Sequence, residues 1–372
     1  MSAVLAHSYR PVGKYILNHD IMSATAEGVV GNHLFSGRAL GISSPQDIIQ
    51  LHPDLHPLWR DILNHYRRIG LSHTEDVLWD LDLRELGAHI NHQPSVFYFG
   101  PRESVYWGDH EWLEAVEYIN SKNNFMALAE QLGVEVPRTL CFDSVTSIDS
   151  DTVGEMTFPC YIKAAVSVSG VGIYRCEDAA ALKKAMACFD CDVPVQLQEE
   201  LVTGTFLNLQ YLVTDDTAIR LAASEQLLDG PVHQGNRMPV SIQPWAAVDV
   251  MADWLVEHGM KGIFAFDVAV VESENGIRCP VIECNPRFNG ASYPTLIAQK
   301  LGITSWSAVN MQTRHRALAD IDLGDIEYDD RTGEGAIIVN WGTVLAGKLM
   351  ILMAGTRDYQ DALQVELEAR LC

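Results

Sequence analysis

The sequence predicts a mixed α/β (α+β) chain of two or three domains, and three observations carry that expectation. The chain has 372 residues, 48% apolar and 20% charged, which is enough to bury several cores without a partner. From Ser121 onward, apolar runs with strand character alternate with helical stripes. The first ~110 residues lack that regular punctuation, which sets them apart as a separate region.

In that first region Leu58, Trp59, Ile62, Leu63, Tyr66 and Ile69 recur at helical spacing and predict one amphipathic helix. The run Val96 to Phe99, closed by Gly100 and Pro101, reads as a buried strand. Ten of the 13 histidines lie here. His52 and His56 have Pro53 between them and Pro57 behind, poor ground for a helical metal pair, so ordinary surface or core histidines are expected.

The next elements come in order along the chain. Ser121 is a suitable N-cap, Phe125, Leu128 and Leu132 form a stripe, and Gly133 closes the helix before an extended segment to Leu140. The run from Phe158 to Lys163 is a strand that delivers a lysine to the small-residue stretch 164–172. A helix over about 178–188 and a strand over 193–198 complete this unit. Strands are expected near 205–213, 218–228 and 262–271, with a polar loop at 229–239 and a helix at 244–258 between the last two. Strands near 334–341 and 348–353 precede a closing helix whose stripe is Tyr359, Leu363, Leu367 and Leu371.

Composition narrows the function. Lys and Arg total 26 against 49 Asp and Glu, a formal charge of −23 that repels a phosphate backbone and argues against nucleic-acid binding. No apolar window is long enough to span a membrane and no secretory signal is evident, so a cytoplasmic location is expected. The eight cysteines lack a dense framework and are expected to be reduced; Cys188 and Cys191 lack the second pair a structural zinc needs.

The richest motif pairs Phe266-Asp267-Val268-Ala269-Val270-Val271 with Cys279-Pro280-Val281-Ile282-Glu283-Cys284-Asn285-Pro286-Arg287 around a hairpin signal. With a three-residue loop at 274–276, Ser273 faces Ile277 and Asp267 lies opposite Glu283, with Asn285 on the same face. A two-residue Asn275-Gly276 turn would put the two carboxylates on opposite faces. Opposed carboxylates call for a hard divalent cation, for which Mg²⁺ fits best, and Arg287 can place a guanidinium over a phosphate or a carboxylate substrate. A second motif joins Lys163 to the glycine-containing loop through Ser169, Gly170 and Gly172, a natural phosphate cradle. Glu199 and Glu200 come directly after a strand, where a crossing can offer backbone groups to an adenine and a carboxylate to a ribose. Gly342 to Lys348 imitates a P-loop, but Leu349 stands where a hydroxyl is needed and the run after it is strand-like.

The order of Lys122, Lys163 with its glycine loop, Glu199-Glu200, Asp267 and Glu283-x-Asn285-x-Arg287 resembles the ATP-grasp superfamily over about residues 115–320. The resemblance implies an ATP-grasp fold: an amino-terminal pre-ATP-grasp region (1–115), two subdomains clasping ATP (116–320) and a carboxyl-terminal extension on that core (321–372). It also implies that Lys122 and Lys163 hold phosphates and that Glu199, Glu200, Leu201 and Val202 form an adenine hinge. Asp267, Glu283 and Asn285 would bind two Mg²⁺, with Mn²⁺ as an alternative, and Arg287 would stabilise the reacting groups beside Lys163.

The expected reaction is ATP-dependent joining of a small carboxylate and an amine through an acylphosphate, with release of ADP and phosphate. His233, Gly235 and Asn236 are expected to line the substrate wall together with Arg287. The expected partners are the two small molecules, without nucleic acid or membrane, and a homodimer is allowed. Two rivals are activation of another acid such as bicarbonate and a nucleotide-sensing protein without turnover. Because Asp267 and Glu283 would repel one another, Glu283→Gln is expected to stop turnover and spare the apo fold.

Overall fold

A computed structural model of the chain describes residues 13–25, 30–167, 172–230 and 232–372. Its amino-terminal part is a parallel sheet in the order β3-β2-β1-β4, from β1 (Tyr15–Asn18), β2 (Ile48–Gln50), β3 (Val77–Leu78) and β4 (Gln93–Val96). Helices α1 (Trp59–Arg68), α2 (Arg84–Ala88), α3 (Pro101–Trp107), α4 (His110–Asn120) and α5 (Lys122–Leu132) lie within this part and lead out of it toward the second sheet. The strand expected at 96–99 begins earlier and stops at Val96. Pro94 is tolerated because β4 is an edge strand and needs no second ladder partner. Gly100 then starts α3, its N–H donating to Glu103 Oε2 at 3.0 Å.

The second sheet forms a small antiparallel lobe in the order β5-β8-β6-β7, from β5 (Thr139–Phe142), β6 (Cys160–Ala164), β7 (Ile173–Cys176) and β8 (Val195–Glu199), with α6 (Ser150–Glu155) and α7 (Ala179–Met186) alongside. Alternation along these strands sorts two faces. Cys160, Ile162, Cys176, Val195 and Leu197 share a closed core, while Tyr161, Lys163, Gln196 and Gln198 stand on the other side.

The third sheet has nine antiparallel strands: β9 (Thr205–Thr214), β10 (Thr217–Asp229), β11 (Val232–Met238), β12 (Ile263–Ser273), β13 (Gly276–Arg278), β14 (Val281–Asn285), β15 (Trp306–Gln312), β16 (Gly335–Asn340) and β17 (Lys348–Ala354). Strands run β13-β12-β9-β10-β11-β15-β17-β16, and β14 also pairs with β12. Helices α8 (Asp249–Glu257), α9 (Ser292–Leu301) and α10 (Arg357–Leu371) pack around it. On β12, Phe264, Phe266, Val268 and Val270 enter a core with Phe125 of α5 and Leu255 of α8, which leaves Ala265 and Asp267 on the opposite face. Each such fully buried side chain contributes roughly 2 kcal/mol.

Residues 229–239, expected as a polar loop, are mostly strand β11. Their polarity reports a strand whose polar side chains point inward: Asn236 is only 1% exposed. Gly342 to Ala346 is a 3-10 turn and Lys348 opens a strand, so the P-loop imitation has no helix N-terminus behind it. Among the described residues no helix is long and apolar enough to cross a membrane.

One ion network ties the amino-terminal part to the end of the chain. His65 Nδ1 lies 2.7 Å from Glu327 Oε1, His65 Nε2 accepts the Ile338 N–H, and Arg68 grips both Glu327 oxygens. Burial pushes Glu327 up, but Arg68 and His65 outweigh it and hold the carboxyl down at about 2. A carboxyl lowered on folding stabilises the protein above its ordinary range and loses that contribution as pH falls. Glu327→Gln is therefore expected to cost about 2 kcal/mol at pH 7, after allowance for the exposed Arg68 end. In chemical denaturation the gap between variant and wild type should close as pH falls from 4.5 toward 2.

Candidate active site between two lobes

Asp267 and Glu283 face each other across β12 and β14, and Asn285 lies opposite Ala265, so all three share one face. The route to that register differs from expectation. Ser273 pairs with Gly276, not Ile277, so the turn is the two residues Glu274 and Asn275, with Gly276 at φ +115°. A register shift between Asp267 and Val268, whose partners are Glu283 and Val281, then makes up the missing residue at Ile282. Pro280 cannot donate to a ladder and marks where β13 gives way to β14.

Asp267 is held by three amides. Asn208 Nδ2 and Gln226 Nε2 donate to Oδ1 at 2.8 and 2.7 Å, and Asn285 Nδ2 donates to Oδ2 at 3.0 Å. The polar row continues across the sheet, with Asn236 Nδ2 donating to Ser224 Oγ at 3.0 Å and His233 Nε2 lying 2.6 Å from Asn236 Oδ1. Asn208 and Gln226 are not evident from sequence. The available signal was the polar residue at every second position of an apolar strand, as in Asn208-Leu209-Gln210.

Two lysines reach this face, Lys122 from α5 and Lys163 from β6 of the small lobe. Lys122, the first residue of α5, donates its backbone N–H to Ala165 O at 2.7 Å and places Nζ 3.0 Å from Glu283 Oε2. Lys163 Nζ donates to Gln198 Oε1 at 2.6 Å. Both lysines are only 8% exposed. Burial pushes the Lys163 ammonium down to about 8, with Glu283 opposing the fall and Lys122 adding to it. Burial and the facing Glu283 carboxylate push Asp267 up. For Glu283 burial acts upward too, but Lys122, Lys163 and Arg287 overcome it and keep the carboxyl ionised. The result is a hard, anionic oxygen set beside two cations, and this donor chemistry fits Mg²⁺.

Arg287 donates through Nη1 to Asn120 Oδ1 at 3.3 Å, and its backbone forms a bridge with Tyr98. The guanidinium is thus braced beside the row of Asp267, Glu283 and Asn285. Gly172 adopts φ +75° and accepts the Ala164 N–H at 2.9 Å, a left-handed position suited to glycine. Ser169 and Gly170 lie outside the described residues. At the crossing after β8, Glu199 Oε1 accepts the Arg138 N–H at 2.8 Å and Glu200 accepts from Tyr161 Oη at 3.1 Å and from Arg175. Both carboxylates are therefore engaged by the protein, while Leu201 is half-buried and Val202 is exposed. Gln196, facing the same side as Lys163, is fully buried, with neither amide atom hydrogen-bonded among the described residues.

At the far end of the polar row, His233 packs against Gly290, and burial pushes its imidazole pKa down against the opposing hydrogen bond to Asn236 Oδ1. Gly235 serves a different purpose from the one expected. It pairs with Val309, and a Cβ there would sit 2.0 Å from Ala308 O, so the residue permits close approach of β11 to β15. Gly235→Ala is expected to pry these strands apart and cost several kcal/mol. A thermal unfolding scan checks this; an unchanged melting temperature would contradict the packing role. Arg38, likewise not evident from sequence, is buried beneath Phe97 and Tyr293, its guanidinium carbon 4.5 and 4.3 Å from their ring centroids. Among the described residues its Nε and Nη2 have no hydrogen-bond partner.

The sequence matches no protein-family model and no curated protein. Solved structures do match. N5-carboxyaminoimidazole synthetase from Staphylococcus aureus, complexed with ADP, aligns over 98% of both chains with a TM-score of 0.63 at 11% identity. Carboxyaminoimidazole ribonucleotide synthase from Aspergillus clavatus, complexed with ATP, covers 90% of this chain and 100% of its own with a TM-score of 0.54 at 12% identity. L-amino acid ligase from Bacillus licheniformis covers 97% of this chain and 98% of its own with a TM-score of 0.53 at 10% identity. The fold is that of the ATP-grasp proteins, as the motif order implied.

Proposed function

We propose that this ATP-grasp chain is an ATP-dependent carboxylate-amine ligase that forms an amide or peptide bond through an acylphosphate. The observation that carries the proposal is the convergence of Asp267, Glu283 and Asn285 on one face, with Lys122 of α5 3.0 Å from Glu283 and Lys163 of the small lobe near enough to lower the Glu283 pKa. Ligation chemistry needs such a meeting of metal-binding oxygens and phosphate-binding cations between two lobes. The structural likeness to an L-amino acid ligase and to carboxyaminoimidazole synthetases supports the same reading.

In this mechanism Lys122 and Lys163 bind and orient the terminal phosphates of ATP. Ser169, Gly170 and Gly172 are assigned in this reading to phosphate binding, and the backbone of residues 199–202 to the adenine. Asp267, Glu283 and Asn285 would hold Mg²⁺, which supplies charge neutralisation to phosphoryl transfer when bound. The substrate carboxylate attacks the γ-phosphate in line, and ADP leaves. The amine then attacks the acyl carbon, Arg287 stabilises the oxyanion and phosphate departs, an effect worth roughly 3 to 4 kcal/mol per well-placed donor. His233 and Asn236 line the substrate side. Arg38 supplies a cation whose fork suits a carboxylate on one of the substrates.

A second reading keeps the phosphoryl chemistry and takes another acid such as bicarbonate. The likeness over 98% of both chains to a carboxyaminoimidazole synthetase favours it. Pairwise screening of amino acids, small acids and amines for phosphate release, with mass detection of products, separates the two. ADP and phosphate are the expected products. Formation of AMP and pyrophosphate would rule out the acylphosphate route.

A further inference from the structure

We propose that His33, His52 and Asp54 bind a transition-metal ion of the Zn²⁺ class, at a site separate from Asp267 and Glu283. His33 belongs to the 3-10 segment Asn32–Ile42, whereas His52 lies just past β2 at the carboxyl end of the parallel sheet and Asp54 two residues further on. Two chain segments therefore supply the three groups.

The spacing is what an ion requires. Asp54 Oδ2 lies 3.3 Å from His33 Nε2 and 3.6 Å from His52 Nδ1, and one donor from each residue falls within 4.8 Å of the others. Ligands about 2.0 to 2.2 Å from a tetrahedral Zn²⁺ stand roughly 3.3 to 3.5 Å from each other. Two edges of such a tetrahedron are thus already formed, and a small rotation of one imidazole closes the third. Direct hydrogen bonding explains the spacing less well. Where this chain pairs an imidazole with a carboxylate by hydrogen bond, at His65 and Glu327, the separation is 2.7 Å.

The donor types decide which ion enters. Two imidazole nitrogens and one carboxylate select Zn²⁺, Co²⁺, Ni²⁺ or Cu²⁺ over Mg²⁺, the reverse of the all-oxygen set around Asp267. The His33 and His52 rings already meet edge to face at 4.7 Å, and Asp54 is 59% exposed, which leaves the remaining coordination to water. His52 Nδ1 accepts the Asp54 N–H at 3.2 Å and would exchange that bond for the ion. An ion here ties the start of the segment 32–42 to the corner after β2. The far end of that segment packs on α9, since a Cβ at Gly41 would meet Ile297 at 2.6 Å.

The test is titration of the reduced, chelator-treated full chain with Co²⁺ and Zn²⁺ in excess Mg²⁺. One equivalent should bind, with visible Co²⁺ bands and without the near-ultraviolet charge-transfer band of thiolate ligation, and Zn²⁺ should raise the melting temperature. His33→Gln, which leaves the hydrogen bond from Asp54 N–H to His52 in place, should weaken binding at least tenfold and remove the melting shift. Asp54→Asn, at an exposed position, should do the same and guards against a folding defect in the first variant. Equal affinity in wild type and both variants, a thiolate-type spectrum, or no binding of either ion would overturn the proposal.

Discussion

Glu283→Gln is expected to lower turnover at least a thousandfold, roughly 4 kcal/mol of transition-state stabilisation, as read by ADP release in the amide-forming assay. Glu283 lies between the two halves of the site, opposite Asp267 and 3.0 Å from Lys122. Neutralising it removes charge from the proposed metal-binding set and releases Lys122, the proposed phosphate ligand, at once. From sequence alone the substitution should spare the apo fold, because it relieves repulsion with Asp267. The structure changes that expectation, since Glu283 also balances Lys122 and lies close enough to Lys163 to affect its charge. A cost of about 1 kcal/mol in the apo protein is now expected, as one partner of a largely desolvated pair is lost. Mg²⁺ with ATP should raise the melting temperature of wild type by more than that of the variant. Full activity in the variant would remove Glu283 from the machinery.

Lys163→Ala is the second large effect, with kcat/KM for ATP expected to fall a hundredfold or more and the fold left intact. Lys163 is buried, its hydrogen bond among the described residues is to Gln198, and burial already weakens its hold on the proton. Its desolvation cost and its attraction to Glu283 act in opposite directions on the fold, so its removal is expected to leave the melting temperature nearly unchanged. Lys122→Ala should behave differently, losing both activity and stability, because it leaves Glu283 without its direct partner. Unchanged ATP kinetics in a folded Lys163→Ala protein would refute the phosphate role.

Much of the site was legible because strand alternation and cross-strand pairing act locally. Asp267, Glu283 and Asn285 could be placed on one face from the sequence, although a two-residue turn with a bulge replaced the expected three-residue loop. Turn and bulge compensate, and pairing arithmetic alone cannot distinguish them from a longer loop. Polarity misled at β11, because an inward-facing polar strand and a solvated loop have the same composition, and Gly235, expected on a loop wall, lies within the strand and permits strand contact. Asn208, Gln226 and Arg38 were missed because their importance comes from residues distant in sequence: Asp267 for the first two, Phe97 and Tyr293 for the third. The histidines at 33 and 52 were likewise unreadable as a pair, since only the fold brings the segment after Gly31 to the end of β2.

The central claim is that a substrate carboxylate takes the γ-phosphoryl group of ATP before the amine attacks. Oxygen-isotope transfer tests it most directly. Once screening has identified an acid and an amine that release phosphate, the acid is supplied with ¹⁸O in its carboxyl group, and the phosphate and the new amide are weighed by mass spectrometry. An acylphosphate requires one carboxyl oxygen to leave with the phosphate, so each phosphate should carry one ¹⁸O and the amide should retain the other. Unlabelled phosphate with both ¹⁸O atoms left on unreacted acid, or label recovered in AMP, would contradict the mechanism.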